Sequence, residues 1–160
     1  MPLSDLKPPA VREWVEYSDD LRTVLLYGGP VIEPVEALKR QGCEVFELIS
    51  TERALAEAPG LRGAAGRVHL VPDLPVDEAS AVHVDEVGSD RLVALGGGRV
   101  IDSAKAVASV TGAEVAAIPT TLSGAPVTGF HRLPVGRESE VSGFVRPSLV
   151  LAYTDAMTSA

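Results

Sequence analysis

From residue 23 onward, short apolar runs alternate with stretches whose apolar residues recur at helical spacing. Residues 23–27 read as a strand ended by Gly28-Gly29-Pro30. Residues 32–40 fit a helix with Val35 and Leu38 on its apolar side, stopped by Gly42. A second strand is expected over 43–49 and a short helix over 51–58, with a turn-rich stretch at 59–66. A third strand, 67–71, runs into Pro72. A helix over 76–87 places Ala79, Val82 and Val87 inward. The next strand, 91–95, leads through glycines into a helix over 98–110, with Ile101, Ala104, Val107 and Ala108 along one side. Further strands are expected at 114–118 and 148–152. Residues 119–147 show no helical pattern. They read as a long functional loop, or as a small β-hairpin with strands 127–133 and 140–145 around the turn VGRES. Residues 1–20, broken by Pro8 and Pro9, read as an N-terminal arm, which Trp14 would pin to a surface or into the core. Residues 21–160 form one domain.

Strands alternating with helices of this length imply βαβ units, hence an α/β, Rossmann-like parallel sheet flanked by helices, with right-handed crossovers. Ligands of such sheets bind beyond the carboxyl ends of the strands. Three polar peptides fall at those ends: 49–52, 96–98 and 119–123.

The most informative of them lies within RLVALGGGRVIDSAK, residues 91–105. A strand, three glycines and a helix start together make an anion cradle. Gly96, Gly97 and Gly98 let backbone N–H groups approach a phosphate, and the unpaired N–H groups of the helix's first turn face it. The same run also serves a strand and a helix that merely pack closely. Arg99, in that first turn, opposes the helix dipole and is expected either on a phosphate or in water. Asp102 and Lys105 are either a solvated pair or groups near a bound cofactor. Thr120, Thr121 and Ser123 leave the following strand end together, suited to a phosphate, a ribose or a nicotinamide amide, or else to capping their own turn. Glu52 follows a strand closely. A carboxylate there accepts ribose hydroxyls of NAD and repels the extra phosphate of NADP, although it is also an ordinary first-turn acid, and Arg53 beside it opposes that preference.

Composition narrows the rest. The 160 residues are 46% hydrophobic and 22% charged, with a net charge of −8, which disfavours nucleic acid or an anionic membrane as partner. Cys43 is the only cysteine, so no intrachain disulfide forms, which suits a reducing cytoplasm. No leader and no apolar span is expected. His69, His83 and His131 lack the spacing of a ligand motif, so no metal site is expected. His69 and His83 are expected in surface or core roles, and His131 lies in the long loop.

With these residues in view, the chain resembles the iron-containing alcohol dehydrogenase superfamily, which includes glycerol dehydrogenases and maleylacetate reductases. The family pattern GGGSxxDxxKA is met by GGGRVIDSAKA at 96–106, and IPTTxGTGSE by IPTTLSGAP at 118–126. ISTERAL, 49–55, is similar to the segment after the first Rossmann strand, where an acid selects NAD. That puts Glu52 in the selector position. The resemblance covers roughly residues 20 to 155. The chain departs from the pattern in three places: Arg99 stands for a serine, Ala125-Pro126 for Ser-Glu or Ala-Glu, and Tyr153-Thr154 for Asp-Pro. The resemblance implies a domain that binds NAD, with NADP as the alternative. It implies hydride transfer between the nicotinamide and a small alcohol or ketone in a complete, two-domain protein. The family's metal ligands, for iron or zinc, sit on a helical domain with no counterpart in these residues. No catalytic residue is therefore expected in this chain, and unaided turnover is not expected either. The implied partners are a dinucleotide, the small-molecule substrate of the complete enzyme, and a second copy or a complementing helical domain. A stand-alone, non-catalytic nucleotide-binding or interaction module is the other reading.

Overall fold

The computed structural model describes residues 12–18, 22–28, 33–154 and 157, the first stretch for its backbone only. Pro8, Pro9, the Gly29-Pro30 turn and Ile32 lie outside the described residues. The elements run β1 (Arg12–Ser18), β2 (Thr23–Gly28), α1 (Pro34–Arg40), β3 (Glu47–Ser50), α2 (Glu52–Glu57), α3 (Pro59–Ala64), β4 (Val68–Leu70), α4 (Val76–His83), β5 (Arg91–Gly96), α5 (Gly98–Thr111), β6 (Glu114–Pro119) and β7 (Leu149–Tyr153).

Among the described residues, seven strands join one sheet in the order β1-β2-β7-β6-β5-β3-β4. β2 to β4 are parallel throughout, as the alternation of elements predicts, and β1 is added antiparallel to β2. Part of the stretch read as an arm is therefore an edge strand, with Trp14 in register with Leu26. From β3 the chain first steps outward to β4, then crosses back to β5 on the other side. The order reverses between β3 and β5, and there the helices that follow the two strands lie on opposite faces. This opens a crevice at the strands' carboxyl ends. Ser50 Oγ donates to the Leu95 carbonyl at 2.7 Å and ties the two strand ends at that point.

Each face buries its own core. Ile49, Leu92, Ala94, Val115 and Ala117 pack under α4 and α5. Leu48, Val93, Leu95, Ile118 and Leu151 pack under α1, α2 and α3. The central strands are buried on both faces, which is why they read as continuous apolar runs rather than alternating ones. Helix α5 lies close to the sheet through its small residues Ala104 and Ala108, and Gly112 ends it at φ +79°, donating its N–H to Ala108.

Four expectations are corrected. The second strand begins at Glu47, not at residue 43, because Val45 points into solvent. Residues 59–64 are a helix where turns were expected. Pro59 stands in its first turn, where no N–H is needed, and Leu61 anchors it in the core. Helix α4 ends at His83, and it buries Ala79, Ser80 and His83 while leaving Val82 exposed. The β-hairpin does not form. Between β6 and β7 the only regular element is a single 3-10 turn, Glu138–Glu140. The N–H groups of that segment find partners elsewhere: Val135 donates to Asp77 of α4, Ser142 to Ser109 of α5, and Val145 to the His131 ring. Helix carbonyls and the His131 ring thus take N–H groups that the expected hairpin would have paired along its own backbone.

Candidate functional site

The crevice at the β3–β5 switch is a cleft of about 550 Å³. Gly96, Gly97, Gly98, Arg99 and Val100 form its floor. Thr120 and Thr121 line one side and Thr51, Arg53, Ala54 and Glu57 the other. Three of the peptides that the sequence marks at strand ends therefore converge. The Thr120 N–H donates to the Gly96 carbonyl at 2.9 Å, fixing the β6 turn to the glycine turn.

Space is tight at all three glycines. A Cβ on Gly97 would lie 3.1 Å from Thr121 Oγ1, and one on Gly98 would lie 3.2 Å from Ser123 Oγ. A Cβ on Gly96 would lie 2.8 Å from Val100 Cβ. Gly97 is the N-cap of α5 and offers no side chain to its first turn. The N–H groups of Gly98, Arg99 and Val100 have no acceptor within the helix, by helix geometry. They stand at the positive end of a 14-residue helix, at the floor of the cleft. This arrangement favours a phosphate group.

The other sequence-marked residues divide. Thr120 and Thr121 line the cleft, and Ser123 sits directly behind Gly98. Arg99 borders it, but its guanidinium is turned to the Pro72 and Leu74 carbonyls at 2.5 and 3.4 Å. Glu52 is not among the lining residues. It reaches across to Arg62 at 2.8 Å, and the neighbouring Arg53 faces the cleft instead. Asp102 and Lys105 do not line the cleft either. The Lys105 side chain is fully buried and donates to Asp102 Oδ1 at 3.0 Å, to the Ala125 carbonyl at 2.9 Å and to Thr128 Oγ1 at 3.4 Å. Burial lowers its pKa, with the Asp102 carboxylate acting in the opposite sense. This pair clamps the segment after β6 onto α5. His131, in that segment, donates from Nδ1 to the Arg132 carbonyl and accepts at Nε2 from the Val145 N–H, so its ring is neutral. Burial holds its pKa below the ordinary value.

Sequence reasoning missed one cluster. His69 of β4, His83 of α4 and Glu86 just beyond it meet, with ligand atoms all within 4.8 Å of one another. None of the three lines the cleft. A separate pocket of about 130 Å³, lined by residues such as Gln41, Cys43 and Arg91, lies at the amino ends of the central strands and is too small for a nucleotide.

Comparison with known proteins agrees with this fold. The family model "Iron-containing alcohol dehydrogenase" matches residues 60–152. A maleylacetate reductase of Pseudomonas sp. (strain P51) is 34% identical over 146 residues, covering 85% of this chain and 40% of that protein. Among solved structures, maleylacetate reductase from Rhizobium sp. strain MTP-10005 superposes with a TM-score of 0.66 at 24% identity, over 89% of this chain and 43% of that one. Sulfoacetaldehyde reductase from Bifidobacterium kashiwanohense, solved with NAD+, superposes with a TM-score of 0.62 at 19% identity, over 92% of this chain and 48% of that one. The chain thus spans about 40% of the length of the curated relative it matches.

Proposed function

Since this chain belongs to the iron-containing alcohol dehydrogenase family, we propose that its glycine cleft holds the pyrophosphate of a nicotinamide dinucleotide. One observation carries the reading. At the point where strand order reverses, three glycines and an open helix N-terminus floor a cleft, and the neighbouring Thr121 and Ser123 side chains leave little space for any Cβ there. Pyrophosphate on Gly97–Val100 would leave one end of the dinucleotide toward Thr51 and Arg53 and the other toward Thr120 and Thr121. The solved relative holding NAD+ shares this fold and supports the cofactor class.

Arg53 in the cleft, with Glu52 drawn off to Arg62, makes NADP an acceptable ligand beside NAD. Glu57 supplies the carboxylate on that side of the cleft. In the complete protein the reading extends to hydride transfer between the nicotinamide and a small alcohol, aldehyde or ketone, in a soluble setting. The family's metal would act there as a Lewis acid. Among the described residues, Glu57 is the only acidic, histidine or cysteine side chain lining the cleft, so these residues do not fit a metal, and no step through one is assigned to them.

Calorimetric titration with NAD, NADP and ADP-ribose tests the cofactor reading. Gly97→Val is expected to abolish binding with helix content unchanged, and unchanged affinity would overturn the site. For the catalytic extension, the 160-residue chain is expected to form no NADH from glycerol or short alcohols, with or without Fe²⁺ or Zn²⁺. Robust metal-dependent turnover would show that a complete site exists within these residues.

A further inference from the structure

The cluster beside β4 poses a problem of hydrogen placement. His69 Nε2 lies 2.7 Å from Glu47 Oε1, and Glu47 Oε2 already accepts the N–H groups of Gly88 and Ser89. A carboxylate taking three such bonds acts as an acceptor, so His69 carries its proton on Nε2. His83 Nε2 lies 3.1 Å from the Leu70 carbonyl, which can only accept, so His83 carries its proton on Nε2 as well. In its neutral form each ring is then left with a bare lone pair on Nδ1, whereas a second ring proton would turn the contact to Glu86 into a hydrogen bond. Both lone pairs face the same oxygen: Glu86 Oε2 is 3.6 Å from His69 Nδ1 and 3.3 Å from His83 Nδ1.

With both rings neutral, three electron-pair donors therefore converge with no hydrogen between them. The two rings are buried, at 2% and 3% exposure, so water has little access to their nitrogens. One added proton relieves one of the two nitrogen–carboxylate contacts and leaves the other, so protons alone must occupy both rings to relieve both. A cation relieves both. We propose that His69, His83 and Glu86 form a binding site for a divalent transition-metal cation of the zinc class.

Two imidazole nitrogens and a carboxylate oxygen are a donor set zinc accepts. The Glu86 side chain is 44% exposed, which gives the ion a way in and leaves a coordination position for water. Glu47 behind His69 and the Leu70 carbonyl behind His83 fix both ring tautomers with Nδ1 free, the outer support that metal-bound histidines ordinarily have. The ligands come from the edge strand, from α4 and from the turn after it. A bound ion would staple the β4–α4 connection together. No member lines the glycine cleft, so the role is structural and separate from dinucleotide binding.

The test uses the 160-residue chain stripped with chelator, then titrated with Zn²⁺ by calorimetry and with Co²⁺ by visible absorption. One Zn²⁺ per chain is expected, together with a raised melting temperature and the absorption bands of a four-coordinate Co²⁺ site. Glu86→Gln, which removes the carboxylate charge from the two Nδ1 atoms and offers them an amide donor, is expected to melt at or above the wild-type temperature in chelator and to weaken Zn²⁺ binding at least tenfold. His83→Gln is expected to weaken it similarly. Absence of stoichiometric binding with excess Zn²⁺ overturns the proposal, and leaves the cluster held by ring protons. Binding that persists in both variants overturns it too, by placing the ion elsewhere.

Discussion

Replacing Gly96 with alanine should damage the fold at one defined contact. The new methyl would lie 2.8 Å from Val100 Cβ and Cγ2 and 3.1 Å from Cγ1, against about 3.5–4.0 Å for carbon atoms at rest. A rotamer change cannot move the Val100 Cβ. Relief requires the first turn of α5 to shift away, yet Ile101 and Ala104 behind it are fully buried. Overpacking of this kind costs about 1–3 kcal/mol. At roughly 2–4 °C per kcal/mol for a domain this size, melting should fall by about 2–12 °C. Urea unfolding followed by circular dichroism, with an unchanged slope, measures it directly. Adding Val100→Ala should fail to restore stability, because the alanine keeps the offending Cβ. Gly98→Ala should cost less, since its new methyl meets the end of Ser123, which can rotate. A Gly96→Ala protein as stable as wild type would refute the reasoning, as would full rescue by Val100→Ala.

Arg53→Ala should weaken NADP relative to NAD by about tenfold, or 1.4 kcal/mol, in calorimetric titration, while Glu52→Ala leaves the ratio near wild type. The opposite pattern would return the selector role to Glu52. Lys105→Met should destabilise by about 1–3 kcal/mol in urea, because the buried Ala125 carbonyl loses its donor; a neutral result would mean that the clamp carries no net stability. His131 gives a pH signature. Burial, helped by the nearby Lys105 charge, depresses its folded pKa, although the Arg132 carbonyl bond and Asp102 act upward. The unfolded chain takes up a proton near pH 6.5 that the folded chain refuses, so this contribution is complete above about pH 6.5 and is lost as pH falls below it. Unfolding curves from pH 7.5 to 5 should show a shallower loss in His131→Asn than in wild type, and parallel losses would remove His131 as the cause.

Features that depend on neighbours in sequence were legible in advance. The strand–glycine–helix run at 91–105 and the hydroxyl turn at 120–123 declare themselves because each is built by adjacent residues. Which of Glu52 and Arg53 faces the cleft was not legible. Consecutive helix positions differ by about 100° in direction, and the anchoring of α2 through buried Leu55 settles the rotation. Gly60 and Gly63 disguised α3 as turns, while the burial of Leu61 that holds it comes only with the tertiary fold. His69 and His83 meet only because the β4–α4 crossover folds back on itself, and no spacing rule encodes that. Lys105 reads from the sequence as a solvated partner of Asp102 or as a group near a cofactor, and its buried clamp is hidden because the residues it fastens, Ala125 and Thr128, belong to a segment without regular structure.

The position of β7 has a consequence for how the domain is made. This strand, the last among the described residues, lies between β2 and β6, pairing Thr23–Tyr27 with Leu149–Tyr153 on one side and Ala116 and Ala117 with Leu149 and Val150 on the other. Tyr27 stacks on Tyr153 at 5.0 Å, and Thr154 Oγ1 donates to the Tyr27 carbonyl at 3.2 Å. During synthesis the β1–β2 ribbon leaves the ribosome early but has no parallel neighbour until the residues beyond 148 follow. Closing that long loop is the slow, non-local step that such topologies impose. A chain cut before Leu149 would lose a middle strand rather than an edge strand. It would leave a lone two-stranded ribbon beside a four-stranded remnant, each with a bare edge that can pair with another chain.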